Sequence, residues 1–556
     1  MGDGLVLLLA VLVSPLAAVL IVVSRHRPNV REAWTLIAAV VKFALVASLL
    51  PSVLAGEAPE ITVLPLAPDI ELALRADGPG MAFGLSASFL WILTSVYSIG
   101  YVRSENEHRQ TRYFASFAVC MSTAVGLAFS ANLLTLFIFY ELLTVATYPL
   151  VVHSESDEAR QAGRRYLGYL LTGGVALLLA IALVYSATGT LDFVPGGFVA
   201  EHLSGLELGL LIALVTIGFG TKAALMPLHA WLPRAMVAPT PVSALLHAVA
   251  VVKAGVFGFV RAFGFVIGPA ALADVGADVV VGTIASLTIV IASLIALRQD
   301  NIKRRLAFST VAHLSYIVLG LSLVTATAWT GGLLHIVNHA ALKITLFFVA
   351  GALHCGPHFD YVSQLNGVGR RMPFTMGAFA LAAIGLAGLP PMGGFVSKWY
   401  LVLGAFDAGY PVFAAALLLA GLLGAGYLFP IVYRAFLLPA PDHAAPAPLV
   451  HEAAPAPAGA DVAPGSGRGA VGTAADPDHG GHDGHGDHGG HGDHDGHSGH
   501  GGHGGHGGGR FDEPTPLLVV PLCLTAAIAL LLGLGDLLGF GDLAITAAQA
   551  ITGGGA

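Results

Sequence analysis

Along this chain, runs of about twenty apolar residues alternate with short polar connections. A helix of that length crosses the hydrocarbon layer of a bilayer and satisfies its own backbone hydrogen bonds on the way. Fourteen such runs predict fourteen membrane-spanning helices, at 4–24, 34–54, 82–101, 113–130, 132–152, 163–187, 207–231, 241–264, 277–297, 304–324, 328–353, 373–403, 411–437 and 515–536. Only Ser130 and Asn132 separate the fourth run from the fifth. The first run begins at Asp3, without a basic start or a small-residue cleavage site, so it reads as a retained helix and not a signal peptide. The pattern therefore predicts an all-α polytopic membrane protein. It divides into 1–80 (two spans and an outer loop), a core at 81–437 holding spans three to thirteen, a polar segment at 438–514, and a closing helix and tail at 515–556.

Charge orients the map. With the N-terminus outside, the cytoplasmic loops hold Arg25, Arg27, Arg31, Arg103, Arg109, Arg112, Arg160, Arg164, Arg165, Arg234, Arg298, Lys303, Arg304, Arg305, Arg370, Arg371, Arg434, Arg468 and Arg510. The outer loops hold only Arg75 and Arg261. That asymmetry follows the positive-inside rule and places both termini outside. Composition agrees: 55% of the 556 residues are hydrophobic and 11% charged, with a mean hydropathy of +0.77. Too little charge is present to cover a soluble enzyme or a nucleic-acid binder of this length. Cys120, Cys355 and Cys523 lie far apart, with no CxxC, haem-attachment or iron–sulfur run, so no cofactor is expected here.

Residues 438–514 differ in kind. They are rich in Ala, Pro, Gly, Asp and His, with almost nothing to bury, and are expected to form a disordered cytoplasmic loop. Ten histidines recur every third residue from His479 to His506. Such a tract, beginning His479, His482, His485, His488, could gather Ni, Zn or Cu. The plainer reading is a solvated low-complexity linker with incidental metal affinity.

Ionisable residues at membrane depth are costly and commonly mark ion or proton paths. One carboxylate, Glu141, falls well inside a span, as do five lysines: Lys42, Lys222, Lys253, Lys343 and Lys398. A carboxylate there needs a proton or a cation, and Lys222 is the obvious partner type. At ~4 Å and an effective dielectric of ~20 the two would interact by about 4 kcal/mol, enough to switch a lysine between holding and releasing a proton. A static structural pair is the alternative. His335, His339 and Lys343 recur at i, i+4 and i+8 and share one helix face, about 6 Å apart per step, a spacing that waters can bridge. They read as a segment of proton wire, or as core histidines, or less readily as a metal or haem site. His247 and Lys253 are six apart and face different directions. His313 sits mid-span and invites the same reading, whereas Lys42 can simply pack or snorkel. Two spans break at proline beside a lysine: Pro227 follows Lys222, and Pro390 and Pro391 precede Lys398. Freed backbone in a membrane is tolerated where it lines a polar cavity. A matched pair of broken spans points to inverted repeats with a site at mid-depth.

The stretch GTKAALMPLHAWLPRAMVAPTPVSALLHAVAVVKAG resembles the central signature of the antiporter-like subunits. These are shared by Mrp-type multisubunit cation/proton antiporters, respiratory complex I and energy-converting membrane hydrogenases. FYELLT, DNIKRRLAFSTVAHLSYIVLG, LLHIVNHAALKITLFFVAGAL and LAGLPPMGGFVSKWYL match in the same order, so the resemblance runs from about residue 80 to 437. It implies fourteen helices with two inverted five-helix repeats, spans four to eight and nine to thirteen, each with a broken helix. It implies a proton path along the midplane, with Glu141 paired to Lys222, then Lys253, then His335, His339 and Lys343, ending at Lys398. His247 mixes a feature of another branch into the eighth span. The GFVSKWYL form is most similar to the D-type members of the Mrp antiporters. The implied activity is that of one part of a transporter, not of a catalyst by itself: it moves protons beside other membrane subunits, in exchange for Na⁺ or under redox drive.

Overall fold

The computed structural model describes residues 2–67, 70–440, 512–536 and 539–553. Among them, twelve helices are long and apolar enough to cross a membrane. The chain is an all-α polytopic membrane protein. The other two expected spans account for the difference from fourteen. The run at 113–130 is the helix Gln110–Ala128, diluted by Ser, Thr and Cys. The run at 373–403 is two shorter helices, Pro373–Ala387 and Gly393–Asp407.

Burial separates the spans by role. Thr240–Ile267 and Ala326–Cys355 are wholly enclosed by protein, and Ile302–Ser322 nearly so. Asp3–Val23, Pro28–Leu54 and Pro516–Leu534 bury only about a third of their most apolar stretch. The first group carries His247, Lys253, His313, His335, His339 and Lys343, so these six sit on the helices with least access to lipid.

Three elements were not expected. The outer loop after the second span is an antiparallel ribbon, Glu60–Ala67 against Ile70–Arg75, with Glu60 opposite Arg75. Two strands alone are marginal. This pair is pinned from below, where the Arg75 N–H donates to the Phe129 carbonyl (2.6 Å) and the Asn132 amide donates to the Glu71 carbonyl (2.7 Å). Asn132 also caps the helix Leu133–Val151 by accepting from the Thr135 N–H. One polar residue thus makes the abrupt turn between the fourth and fifth spans. The tail holds a further helix, Phe540–Thr552, whose Phe540, Leu543, Ala544, Ala547, Ala548 and Ile551 form one buried face. It is too short to cross a bilayer.

The third unexpected feature is a break in the eighth span. Thr240–Ala248 stops, the Ala250 N–H reaches back to the Leu245 carbonyl (3.0 Å), and Val251–Arg261 resumes before a wide turn at Ala262–Ile267. Arg261, expected in an outer loop, is buried inside this span. Its guanidinium grips both carboxylate oxygens of Asp77 and lies about 5 Å from the rings of Phe193, Phe257 and Phe265. Asp77 in turn caps Gly78–Ser104 through the Gly80 N–H.

Both expected breaks occur. Gly205–Lys222 ends at Lys222, and the chain resumes as a short helix at Trp231–Arg234. Pro227 cannot donate, and the freed groups are met from outside. The Trp231 indole donates to the Thr221 carbonyl (2.8 Å), and the Met226 N–H donates to the Thr288 hydroxyl (3.2 Å). The eighth span packs on this break through Gly255 and Gly258, where a side chain would strike the Ala223 backbone and the Phe219 ring. Overpacking of such contacts costs ~1–3 kcal/mol or more. Gly258→Val is therefore expected to lower the thermal midpoint of the detergent-solubilised protein by several degrees. Gly209→Val, which meets open space, should leave it nearly unchanged.

Candidate functional site

Lys222 is fully buried at the C-terminal end of its half-helix. Its ammonium donates to the Tyr140 carbonyl and stands 3.3 Å from the centre of the Tyr140 ring. Glu141 follows Tyr140 on the same helix. One of its oxygens, Oε1, is buried with no hydrogen-bond partner among the described residues. The carboxylate rests in space left by Gly174, where a Cβ would crowd it. The two residues are neighbours, but among the described residues no direct ion pair joins them. The lysine is held by the tyrosine's backbone and ring.

A row of close neighbours runs from the enclosed helices to the helix Gly393–Asp407. Lys253 Nζ lies 3.0 Å from His339 Nδ1, His313 Nδ1 lies 3.0 Å from His335 Nε2, and His335 Nδ1 lies 2.8 Å from the Ser397 hydroxyl. The His339 and His313 rings sit 5.5 Å apart between centres, so they are neighbours without a direct hydrogen bond. Tyr316 stacks on His313 (5.0 Å) and on His335 (5.6 Å). Its ring also lies 5.0 Å from the Lys398 ammonium. All are buried.

The second break positions Lys398. Pro373–Ala387 ends at Gly388 in the left-handed conformation, and Lys398 reaches back to donate to the Leu386 carbonyl (2.7 Å) and the Ala387 carbonyl (3.3 Å). A cation on terminal carbonyls is favoured by the helix dipole. On the other side of the break, Asn338 donates to the Gly393 carbonyl (2.8 Å). Each broken span thus carries a lysine bonded to backbone carbonyls, Lys398 to those at its own break and Lys222 to that of Tyr140 on the helix Leu133–Val151.

Chemically, the row can pass protons. An imidazole that accepts at one nitrogen can donate at the other, and a hydroxyl can do both. If the Ser397 hydroxyl donates to the carbonyls of Gly393 or Gly394, His335 donates to it and accepts from His313. If Ser397 donates to His335, every bond in the sequence reverses. The segment His313–His335–Ser397 therefore has two self-consistent hydrogen-bond directions, which is the property a proton relay needs. Lysine has no acceptor when charged, so Lys253 donates to His339 Nδ1. That leaves the proton of His339 on Nε2, where no partner is found among the described residues.

Two expected members stand apart from this row. Lys343 shares the helix of His335 and His339, but donates to the Leu306 carbonyl (3.0 Å) instead. His247 is fully buried beside the break in its span, with neither ring nitrogen bonded among the described residues. Its ring lies 4.7 Å from that of Phe347 between centres. His313, a candidate by its mid-span position, joins the row, and Ser397 and Tyr316 join it without having been expected. Ser397 carried a faint signal, as the residue before Lys398 in a proline-broken span. His479, His482, His485 and His488 lie outside the described residues.

The transmembrane family of NADH:quinone oxidoreductase and Mrp antiporter subunits matches residues 130–424, which contain every residue of the row. This chain belongs to that family. It is 34% identical over 365 residues to NADH-quinone oxidoreductase subunit N of Desulforudis audaxviator, covering 65% of this chain and 72% of that protein. It is 33% identical over 334 residues to a probable K(+)/H(+) antiporter protein, the A/B subunit, of Rhizobium meliloti, covering 59% and 32%. It is 32% identical over 368 residues to hydrogenase-4 component B of Escherichia coli, covering 63% and 53%. The chain thus spans about a third to a half of these last two relatives. One chain in the structure of the Mrp complex from Dietzia sp. DQ12-45-1b shares the fold at a TM-score of 0.77 and 22% identity, with 99% of this chain and 97% of that one covered. One chain of the archaeal membrane-bound sulfane sulfur reductase follows at a TM-score of 0.72 and 25% identity, with 79% and 91% covered.

The break at the seventh span is the part of the site most exposed to local damage. Trp231→Phe keeps the ring and removes the donor to the Thr221 carbonyl. The Thr221 carbonyl keeps the Ala224 N–H (3.2 Å), so the loss is that of one hydrogen bond, ~0.5–1.5 kcal/mol. Thermal unfolding in detergent should show that loss, and Trp399→Phe, whose side chain is half exposed, should not.

Proposed function

We propose that this chain is the proton-translocating membrane subunit of a multisubunit monovalent cation/proton antiporter, similar to the D-type member of the Mrp complexes, which exchanges protons for Na⁺. The observation that carries the reading is the buried sequence Lys253–His339 and His313–His335–Ser397, ending beside Lys398. In this account Lys222 takes or gives up a proton as Glu141 changes charge. His247 and Lys253 link the first half of the path to the second, and His335, His339 and Lys343 carry it to Lys398. The chain sits in the cell membrane with both termini outside and the histidine-rich loop in the cytoplasm. It works beside other membrane subunits. Kinship with antiporter proteins and a fold shared end to end with one chain of an Mrp complex support the reading.

Glu141→Ala tests it. In everted vesicles containing the assembled complex, sodium-driven proton movement should fall at least ten-fold. An unchanged rate with normal assembly contradicts the role given to Glu141.

A second reading has its own support, the 34% identity to subunit N of a quinone oxidoreductase. There the same path is driven by electron transfer in a redox complex. Gentle purification from the native membrane separates the two. Small hydrophobic subunits without a cofactor protein are expected for the antiporter; iron–sulfur, flavin or nickel proteins would replace it with the redox reading.

A further inference from the structure

On the arginine-rich face, the loop after Gly78–Ser104 meets the loop after Leu133–Val151. This brings together Glu107, His108 and His153, whose potential ligand atoms all lie within 4.8 Å of one another. His153 Nε2 is 3.4 Å from Glu107 Oε2, and His108 Nδ1 is 3.9 Å from the same oxygen. The two imidazoles face each other, 5.0 Å between centres. Burial is graded: the His153 side chain is 1% exposed, Glu107 19% and His108 46%.

His153 is the telling member. Neither of its ring nitrogens has a hydrogen-bond partner among the described residues, although the ring is enclosed. Its position is fixed from two sides. The Tyr113 ring meets it edge-on, and the Arg112 guanidinium donates to its carbonyl oxygen (3.1 Å). A buried imidazole with both nitrogens idle, one directed at a carboxylate, is an unmet donor–acceptor set. The nearby cations do not fill it. Arg109 and Arg112 both bind Glu155 (2.9 and 2.5 Å), and Arg112 holds that carboxyl below the usual range. Lys303 donates to the Ala238 carbonyl.

We propose that Glu107, His108 and His153 form a site for a divalent transition-metal ion of the zinc type. Two imidazoles and one carboxylate suit such an ion, with solvent completing its coordination. Geometry favours it as well. Metal–nitrogen bonds of ~2.0–2.1 Å in a tetrahedron put neighbouring ligand atoms about 3.4 Å apart. His153 and Glu107 already stand at that separation, and His108, half exposed, has room to close the remainder. A bound ion would join the loop after the third span to the end of the helix that carries Glu141. The site is independent of the transport reading, since occupancy is measured without any flux.

The test is a Zn²⁺ titration of the purified full-length protein against a chromophoric chelator. The histidine tract also offers ligands, so the site is read as the difference between proteins that all retain it. Glu107→Gln and His153→Asn should each bind one fewer tightly held zinc ion than wild type. His108→Ala, at a half-exposed position that cannot unfold the protein, should weaken that ion at least ten-fold. Isotherms identical to wild type for His108→Ala and Glu107→Gln would overturn the site and leave the tract as the binder.

Discussion

The constraint on which this structure depends is the cost of an ionisable group in hydrocarbon. On insertion scales a lysine or carboxylate at mid-membrane costs about 2.5–3.5 kcal/mol. Five lysines and Glu141 fall within spans here, and among the described residues no direct ion pair joins Glu141 to Lys222. The fold meets the cost with backbone carbonyls, imidazoles and aromatic faces. Lys222 takes the Tyr140 carbonyl and ring, Lys398 takes the end of the preceding half-helix, Lys343 takes the Leu306 carbonyl, and Lys253 takes His339. Neutral partners of this kind hold a proton without fixing it, whereas a tight carboxylate pair would hold the charge in place.

The helix breaks belong to the same solution. Lys222, Lys343 and Lys42 share carbonyls of continuous neighbouring helices, whereas Lys398 takes carbonyls at the end of a broken one. Proline interrupts the seventh and twelfth spans and releases acceptors at depth. The remaining freed groups are met by Trp231, Thr288 and Asn338, which keeps the cost of the break low. The eighth span breaks without any proline in its interior. Its interruption lies between His247 and Lys253, and beyond it Gly255 and Gly258 let the span pass close against the seventh.

Much of this was legible in the sequence. Length and hydropathy place the spans, because a bilayer demands about twenty apolar residues whatever the neighbours are. Pro227, Pro390 and Pro391 mark two of the breaks by removing a donor. The i, i+4 spacing puts His335 and His339 on one face. What the sequence left hidden depends on contacts between distant segments. Lys343 has the spacing of its helix-mates, yet it bonds to Leu306 on a neighbouring helix and not to an imidazole. His313 enters the row only because its helix packs against that of His335. Glu141 and Lys222 carry complementary charges, yet Tyr140 intervenes. The outer ribbon and the helix Phe540–Thr552 carry apolar patterns too short to read as spans, and are held by what they pack on.

The central claim is that the enclosed histidine row conducts protons, and Ser397 tests it with the least disturbance. Its hydroxyl is a neutral hydrogen-bonded link between His335 and the carbonyls of Gly393 and Gly394 at the break that positions Lys398. Ser397→Ala removes that link without changing charge, and Ser397→Thr restores a hydroxyl. Proton flux through the assembled complex in everted vesicles should fall at least ten-fold in the alanine variant and recover in the threonine variant. An alanine variant that runs at the wild-type rate, in a complex assembled normally, would contradict the account.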